Sequence, residues 1–110
     1  MKIQDEYRKV IDEFLKRITE KYEDKIEEII LFGSVAKGNA TEVSDVDVLL
    51  ITSEDSFTVQ RLISGIVIDI LLKTGKYISV KVLTKEEYEL QKKIDSGFYK
   101  SITQEGVVIG

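Results

Sequence analysis

The segment Val43–Ile51 limits the possible folds more than any other part of the sequence. Its second half is an unbroken run of Val, Leu and Ile, which is typical of a strand buried on both faces of a sheet. Its first half contains Asp45 and Asp47, whose charges are costly in such a strand unless something offsets them. The segment therefore predicts a buried strand, in a sheet covered by helices, that carries two acidic side chains with a function.

The rest of the chain alternates between helical and strand patterns. Ser56 is predicted to cap the second long helix and Gly75 to close it, and Thr84–Glu87 has the pattern of a capping box. Asp95–Gly97 marks a turn, and a short helix is predicted to start at Ser34. Further helices are predicted over Gln4–Glu23, Phe57–Lys73 and Lys85–Lys93, with a short one over Phe98–Gln104, and strands over Ile26–Phe32, Val43–Ile51, Tyr77–Leu83 and Val107–Ile109. If the short helix at Ser34 is left out of the count, the element order is α-β-β-α-β-α-α-β. This order predicts an α/β (α+β) fold, a mixed sheet with helices packed on it.

Length and composition predict one domain over residues 1–110, with 43% hydrophobic and 33% charged residues. The sequence contains no cysteine and no histidine. A metal would therefore be held by oxygen atoms, which favours Mg²⁺ or Mn²⁺. The net charge of −4 argues against long nucleic acid as a partner. Neither a secretory signal nor a membrane-spanning run is evident, so we expect a cytoplasmic protein.

The helix Phe57–Lys73 is apolar nearly all round. Such a helix is either sandwiched inside the fold or covered by another chain, for example in a homodimer. Asp69 interrupts the apolar run. We expect it to face solvent or a partner, and the alternative is that it serves as an additional acid of the functional site.

The turn after the first strand, Gly33–Gly38, has features that suit a phosphate group. Gly33 allows a ligand to approach the backbone, and a helix start at Ser34 offers free amides. The Ser34 hydroxyl can donate a hydrogen bond to a phosphate oxygen, and Lys37 adds a positive charge one turn later. Taken alone, Gly-Ser could belong to any turn that ends a strand.

Asp45 and Asp47 are two residues apart, so in a strand they share one face, about 7 Å apart. Val46 and Val48 are then predicted to point into the core. Two adjacent carboxylates repel each other, and a divalent cation between them removes that cost. Taken alone, the pair could be two solvated acids on an edge strand, but its combination with the preceding Gly-Ser turn favours a site.

The two segments together resemble the signature of the polymerase-beta-type nucleotidyltransferase superfamily, in which Gly-Ser is followed after ten residues by Asp-x-Asp. Phe32–Gly38 and Ser44–Leu49 are similar to the corresponding segments of the minimal nucleotidyltransferases, or MNT proteins. The tail Ile78–Ile109 is also similar to theirs, so the resemblance covers nearly the whole chain. It implies the nucleotidyltransferase fold.

This resemblance implies transfer of a nucleoside monophosphate, AMP in the first instance, from a nucleoside triphosphate to a protein or another hydroxyl. It implies that Gly33 and Ser34, with Lys37 and Ser44, bind the nucleotide. It also implies that Asp45 and Asp47 bind Mg²⁺ and are the catalytic acids. MNT proteins are commonly paired with a helical HEPN protein as antitoxin and toxin, so a HEPN-type partner is implied.

The sequence departs from the superfamily on its third strand, where active members carry another carboxylate. The same-face candidates for that position are Ser79 and Lys81. Lys81 is either paired with Asp45 or Asp47 or solvated. Two functions therefore remain open, an enzyme that transfers a nucleotide and a catalytically weak nucleotide-binding antitoxin that acts by binding its partner.

Overall fold

The computed structural model describes residues 3–110, so the first two residues of the predicted domain lie outside it. A four-stranded sheet with the strand order β3-β2-β1-β4 forms its centre. The strands are β1 (Ile26–Phe32), β2 (Val46–Thr52), β3 (Ile78–Thr84) and β4 (Val107–Val108). The helices are α1 (Asp5–Tyr22), α2 (Gly33–Lys37), α3 (Ser56–Thr74), α4 (Lys85–Lys93) and α5 (Gly97–Glu105), and a 3-10 turn spans Glu23–Lys25.

The sheet is mixed, because β1 runs antiparallel to β2 and β4 while β2 runs parallel to β3. Its two faces are covered by different helices. Val46, Val48 and Leu50 of β2 pack with α1 and α3, and the alternate residues Leu49 and Ile51 pack on the side of α4 and α5. The predicted fold class is thus confirmed, and β2 is buried on both faces as its apolar run indicates.

The first helix buries the apolar stripe that its helical spacing predicts. Its fully buried side chains include Tyr7, Phe14 and Ile18. They lie in one cluster with the β1 residues Ile29 and Leu31. The amphipathic pattern of α1 therefore serves to cover one face of the sheet.

The start of α3 differs from the prediction by one residue. Asp55, rather than Ser56, is the N-cap, and its carboxylate accepts a hydrogen bond from the Thr58 N–H at 3.0 Å. The carboxylate binds an amide that would otherwise lack a partner, so Ser56 becomes the first helical residue. The other predicted caps, Gly75 after α3 and the Thr84–Glu87 box before α4, are both present.

The second strand starts at Val46, three residues later than predicted. A turn explains the difference, because the Ser44 N–H donates to the Thr41 carbonyl at 3.1 Å and the Ser44 hydroxyl accepts from the Thr41 N–H at 2.8 Å. Val43 is 90% exposed and lies in that turn. Asp45 therefore belongs to the loop before β2, whereas Asp47 belongs to the strand.

The third helix is only partly sandwiched. Ile63 and Ile70 are fully buried between α1 and the sheet, whereas Phe57 and Leu72 are about four-fifths exposed, at 81% and 80%. None of the helices in residues 3–110 has the length and apolar character that a membrane crossing requires.

Candidate functional site

The two halves of the sequence motif meet where β1 ends and β2 begins. The antiparallel register pairs Phe32 with Asp47, so Gly33 follows directly beside the acid. Gly33 has a φ of +78°, and a Cβ atom on it would collide with the Asp47 carboxylate. Glycine is therefore required here for two reasons, the left-handed backbone and the close approach of Asp47.

Asp47 is half-buried on the sheet face that α4 and α5 cover, because it alternates with the inward residues Val46 and Val48. Burial raises the pKa of the Asp47 carboxyl above its ordinary value, and the charges of Asp45 and Glu105 raise it further. The ionised form of Asp47 is thus disfavoured in the isolated protein, and a nearby cation would stabilise it.

Glu105, the last residue of α5, belongs to this neighbourhood although the sequence motif does not include it. Its Oε1 atom lies 3.4 Å from Nζ of Lys37, the last residue of α2. Lys37 is thus the partner of Glu105, and the site combines this one pair with the carboxylates of Asp45 and Asp47. Glu105 stands next to Gly106 and Val107 in the sequence, but only the packing of α5 beside α2 reveals its position.

The start of α2 has no side-chain cap. Phe32 occupies the N-cap position and provides no side-chain acceptor for the first amides of the helix. Ser34 is the second residue of α2 and is half-buried. This end of the helix therefore offers backbone N–H groups and one hydroxyl close to the acidic pair.

The Ser44 hydroxyl is engaged in hydrogen bonds within the loop. It accepts the Thr41 N–H and lies 3.3 Å from Thr41 Oγ1. Such local hydrogen bonds are what serine commonly contributes to turns. The structure therefore gives Ser44 a role in shaping the segment that carries Asp45.

The third strand brings Ser79 beside Asp47 in the parallel register, so no acid lies at that position. Lys81 lies with its Nζ 4.5 Å from the centroid of the Phe98 ring, a cation–π contact. The ion pairs among residues 3–110 include none between Lys81 and Asp45 or Asp47. Lys81 is exposed, so of the two roles left open for it the structure supports the solvated one, with the Phe98 contact in addition.

Asp69 is an exposed residue of α3 and pairs with Arg17 of α1 at 3.3 Å. It therefore lies among the helices of the opposite sheet face, and the alternative that it supplies an additional acid to the site is wrong. The expectation that it faces outwards is confirmed.

The acids of the described residues do not form a group of three that could enclose a metal ion. The site chemistry still suits Mg²⁺, since its donors are carboxylate oxygens and Mg²⁺ is typically held by one or two carboxylates together with substrate phosphates. Asp45 and Asp47 are the residues that would hold it.

Comparison with known proteins identifies the family. Residues 11–109 match the model of the nucleotidyltransferase domain family, and the chain belongs to that family. A Methanocaldococcus jannaschii protein provisionally assigned as a protein adenylyltransferase is 38% identical over 101 residues, which are 92% of this chain and 95% of that protein. A second protein from the same organism with the same provisional assignment is 33% identical over 85 residues, covering 74% of this chain and 58% of that protein. This chain is therefore a nucleotidyltransferase.

Solved structures support the fold. A provisionally assigned nucleotidyltransferase from Sulfolobus solfataricus superposes with a TM-score of 0.59 at 18% identity, covering 94% of this chain and 80% of that one. A chain in a mutant structure of the toxin–antitoxin MntA–HpeT superposes with a TM-score of 0.55 at 16% identity, covering 91% and 71% of the two chains. At these identities the similarity concerns the fold alone.

Proposed function

We propose that this domain, residues 1–110, transfers AMP from ATP to a hydroxyl of a partner protein with the help of Mg²⁺. The observation that carries the proposal is the contact of Gly33 with Asp47, which brings the Gly-Ser turn against the acidic pair. The provisional assignment of the M. jannaschii relatives as protein adenylyltransferases supports AMP and a protein acceptor.

In this proposal the triphosphate lies at the start of α2. Backbone N–H groups and the Ser34 hydroxyl donate to its oxygens, and Gly33 allows this turn to lie directly against Asp47. Lys37 exchanges its contact with Glu105 for a phosphate oxygen, an exchange that costs little because exposed ion pairs contribute less than about 1 kcal/mol. Ser44 contributes by holding the loop rather than by direct contact.

Asp45 and Asp47 would hold Mg²⁺, whose positive charge would offset the negative charge that develops on the phosphate groups during transfer. The acceptor hydroxyl oxygen forms a bond to the α-phosphorus and its proton passes to solvent, while the bond between the α-phosphorus and pyrophosphate breaks. The pKa of Asp47 is raised by burial and by the charges of Asp45 and Glu105, and a cation bound between the acids would offset these unfavourable contributions.

The acceptor and the biological setting are also proposals. We propose a protein partner, of HEPN type, in a toxin–antitoxin pair, which the MntA–HpeT structural neighbour supports at the level of fold.

A second function has a specific observation in its favour. Ser79, a neutral side chain that cannot act as a general base, lies beside Asp47 where active superfamily members place a carboxylate. A protein with this site could bind Mg²⁺–ATP and its partner without efficient transfer. The alternative is therefore a nucleotide-binding antitoxin that acts by association.

The binding part of the proposal is tested with the double variant Asp45→Asn and Asp47→Asn. Both changes keep side-chain size and remove the charge, so we expect the Mg²⁺-dependent part of ATP binding to disappear in calorimetry while the circular dichroism spectrum stays unchanged. Asp69→Asn, an exposed acid on the opposite side of the sheet, is the matched control. Unchanged Mg²⁺–ATP affinity in the double variant contradicts the site.

The two functions are separated by incubating the protein and its genomic neighbour with ATP labelled on the α-phosphate or the γ-phosphate. Nucleotide transfer predicts label on the partner from the α-label only, since the γ-phosphate leaves with pyrophosphate. Label from neither, together with a stable complex, supports the binding function and contradicts transfer.

A further inference from the structure

The loop between α2 and β2, residues 38–45, carries Asp45 and is held by side chains from outside it. Its backbone carbonyls accept hydrogen bonds from three side chains that are distant in the sequence. Gln4 Nε2 donates to the Ala40 carbonyl at 3.1 Å, and Lys76 Nζ donates to the Glu42 carbonyl at 3.3 Å. The Tyr7 hydroxyl contacts the carbonyls of Thr41 and Ser44, the latter at 3.3 Å. We call Gln4, Tyr7 and Lys76 the loop anchor.

Tyr7 is the central member of the loop anchor. Its side chain has no exposed surface, so its hydroxyl would be costly without a partner. Packing in the core would be served equally by phenylalanine. The feature that distinguishes tyrosine here is its single O–H donor, which lies between two carbonyls of the loop.

Lys76 links the anchor to the rest of the fold. Its Nζ atom lies 4.7 Å from the centroid of the Tyr7 ring and 3.6 Å from Glu6 Oε2, in addition to its contact with the loop. Its side chain is only 17% exposed, so solvent screens these contacts less than at the surface. Lys76 therefore joins α1, the loop and the start of β3 at one point.

The anchor reaches Asp45 from both sides. Before it, the Ser44 carbonyl is contacted by Tyr7. After it, the Val46 N–H donates to the carbonyl of Tyr77, the neighbour of Lys76, at 2.9 Å. Asp45 is itself exposed and precedes the strand, so these contacts determine where its backbone lies relative to Asp47.

We propose that Tyr7 is a positioning residue of the cation site, whose hydroxyl, supported by Lys76, keeps Asp45 at the distance from Asp47 that a shared divalent cation requires. The proposal rests on the function proposed above. A residue that orients a metal ligand through the backbone acts like other outer partners of metal sites, whose loss typically weakens metal affinity about 10–100-fold.

The test is Tyr7→Phe, which removes one hydroxyl and keeps the ring in the core. The matched control is Tyr22→Phe on the same helix, a half-buried tyrosine packed against the same cluster. We expect the Mg²⁺ dependence of ATP binding to shift to about tenfold higher Mg²⁺ in Tyr7→Phe, measured by calorimetry well below the unfolding midpoint, and to stay unchanged in Tyr22→Phe. A lower melting temperature with unchanged Mg²⁺ dependence overturns the positioning role.

Hydrogen exchange of the unliganded protein provides a readout that does not need the nucleotide. Tyr7→Phe is expected to accelerate exchange of the Ser44 and Val46 amides and to leave the β2 amides from Val48 onwards unchanged. Protection that stays as in the native protein overturns the proposal. Failure of the native protein to bind Mg²⁺–ATP contradicts the proposed function instead, so the two failures are distinguishable.

Lys76→Met serves as the second variant, because it keeps an extended side chain while removing the charge and the donor to Glu42. It is expected to change Mg²⁺ dependence in the same direction as Tyr7→Phe but by a smaller factor, about threefold, since Tyr7 still holds the Ser44 carbonyl. A larger effect than that of Tyr7→Phe contradicts the central role of the hydroxyl.

Discussion

Asp45 and Asp47 are separated by one residue, yet the molecule holds them by different means. Asp47 lies in β2 between β1 and β3, so the hydrogen bonds of two neighbouring strands determine its backbone. Asp45 lies in the preceding loop, whose carbonyls depend on Gln4, Tyr7 and Lys76. One acid is thus held by the sheet and the other by side chains from distant segments.

Substitutions near the two acids are therefore expected to have different effects. The strand side, with Gly33 against Asp47, is tightly packed, and substitutions there affect folding as well as binding. The loop side, with Ser44 and Asp45, is more exposed, and substitutions there affect binding or local order at a small cost in stability. Three comparisons between variants test this contrast.

The largest effect is expected for Gly33→Ala. A left-handed backbone costs alanine about 1–2 kcal/mol, and the clash of its Cβ with Asp47 adds about 1–3 kcal/mol. Gly75→Ala is the matched control, since its φ is +74° but its surroundings leave space for a Cβ atom. Urea unfolding should therefore show Gly33→Ala to be the more destabilised by at least about 1 kcal/mol.

The clash between residues 33 and 47 can also be tested by removing the Asp47 carboxylate. Asp47→Ala removes the carboxylate atoms nearest the added Cβ, so Gly33→Ala should cost less in that background. If Gly33→Ala costs the same free energy of unfolding in the native protein and in Asp47→Ala, tight packing of Gly33 against Asp47 is contradicted.

An intermediate effect is expected for Asp47→Asn in the absence of Mg²⁺. A carboxyl whose folded pKa is raised binds its proton more tightly in the folded state, so stability falls as the pH rises through that pKa. Asparagine removes this cost, so the variant should be more stable than the native protein at pH 7, by less than about 1 kcal/mol because solvent screens a half-buried group. The gain should vanish under acidic conditions.

Asp45→Asn is the comparison on the loop side. It relieves only the repulsion acting on Asp47 and none of the burial, so its stabilisation at pH 7 should be smaller. Melting temperatures of both variants across the acidic to neutral range provide the measurement. A larger gain from Asp45→Asn, or a gain that grows on acidification, contradicts the assignment of burial as the main cause.

The smallest effect is expected from the two serines. Ser44→Ala removes the acceptor of the exposed Thr41 N–H, which water can replace, and should cost at most about 0.5 kcal/mol of stability. Ser34→Ala at the uncapped start of α2 should leave stability nearly unchanged and weaken ATP binding several-fold. If Ser44→Ala instead weakens ATP binding more than Ser34→Ala does, the direct nucleotide contact that the sequence predicts for Ser44 stands.

Much of the fold follows from short-range patterns. The element order, the buried stripe of α1, the capping box at Thr84 and the double-sided burial of β2 all depend on spacings of a few residues. The errors of prediction are local as well. Asp55 competes with Ser56 for the cap, and the Thr41–Ser44 turn delays the start of β2.

The residues of the candidate site likewise differ in whether the sequence could predict them. Gly33, Ser34, Asp45 and Asp47 could be predicted from the sequence, because a strand ending in glycine and a strand starting with alternate acids are local signals. Glu105 and Tyr7 could not, since their positions near the site depend on how α5 and α1 pack. No spacing rule relates residue 7 to residue 44, or residue 37 to residue 105.

The sequence by itself determined the family, the mixed sheet and the residue types available to bind a nucleotide and a cation. The tertiary structure decided which charged residues lie close together, which polar residues form hydrogen bonds within turns, and which distant side chains hold the loop. The physical reason is that secondary structure and its caps arise from neighbours along the chain. The position of Asp45 instead depends on hydrogen bonds between its loop and helix α1, which is distant in the sequence: Tyr7 and the Thr41 that it contacts are 34 residues apart.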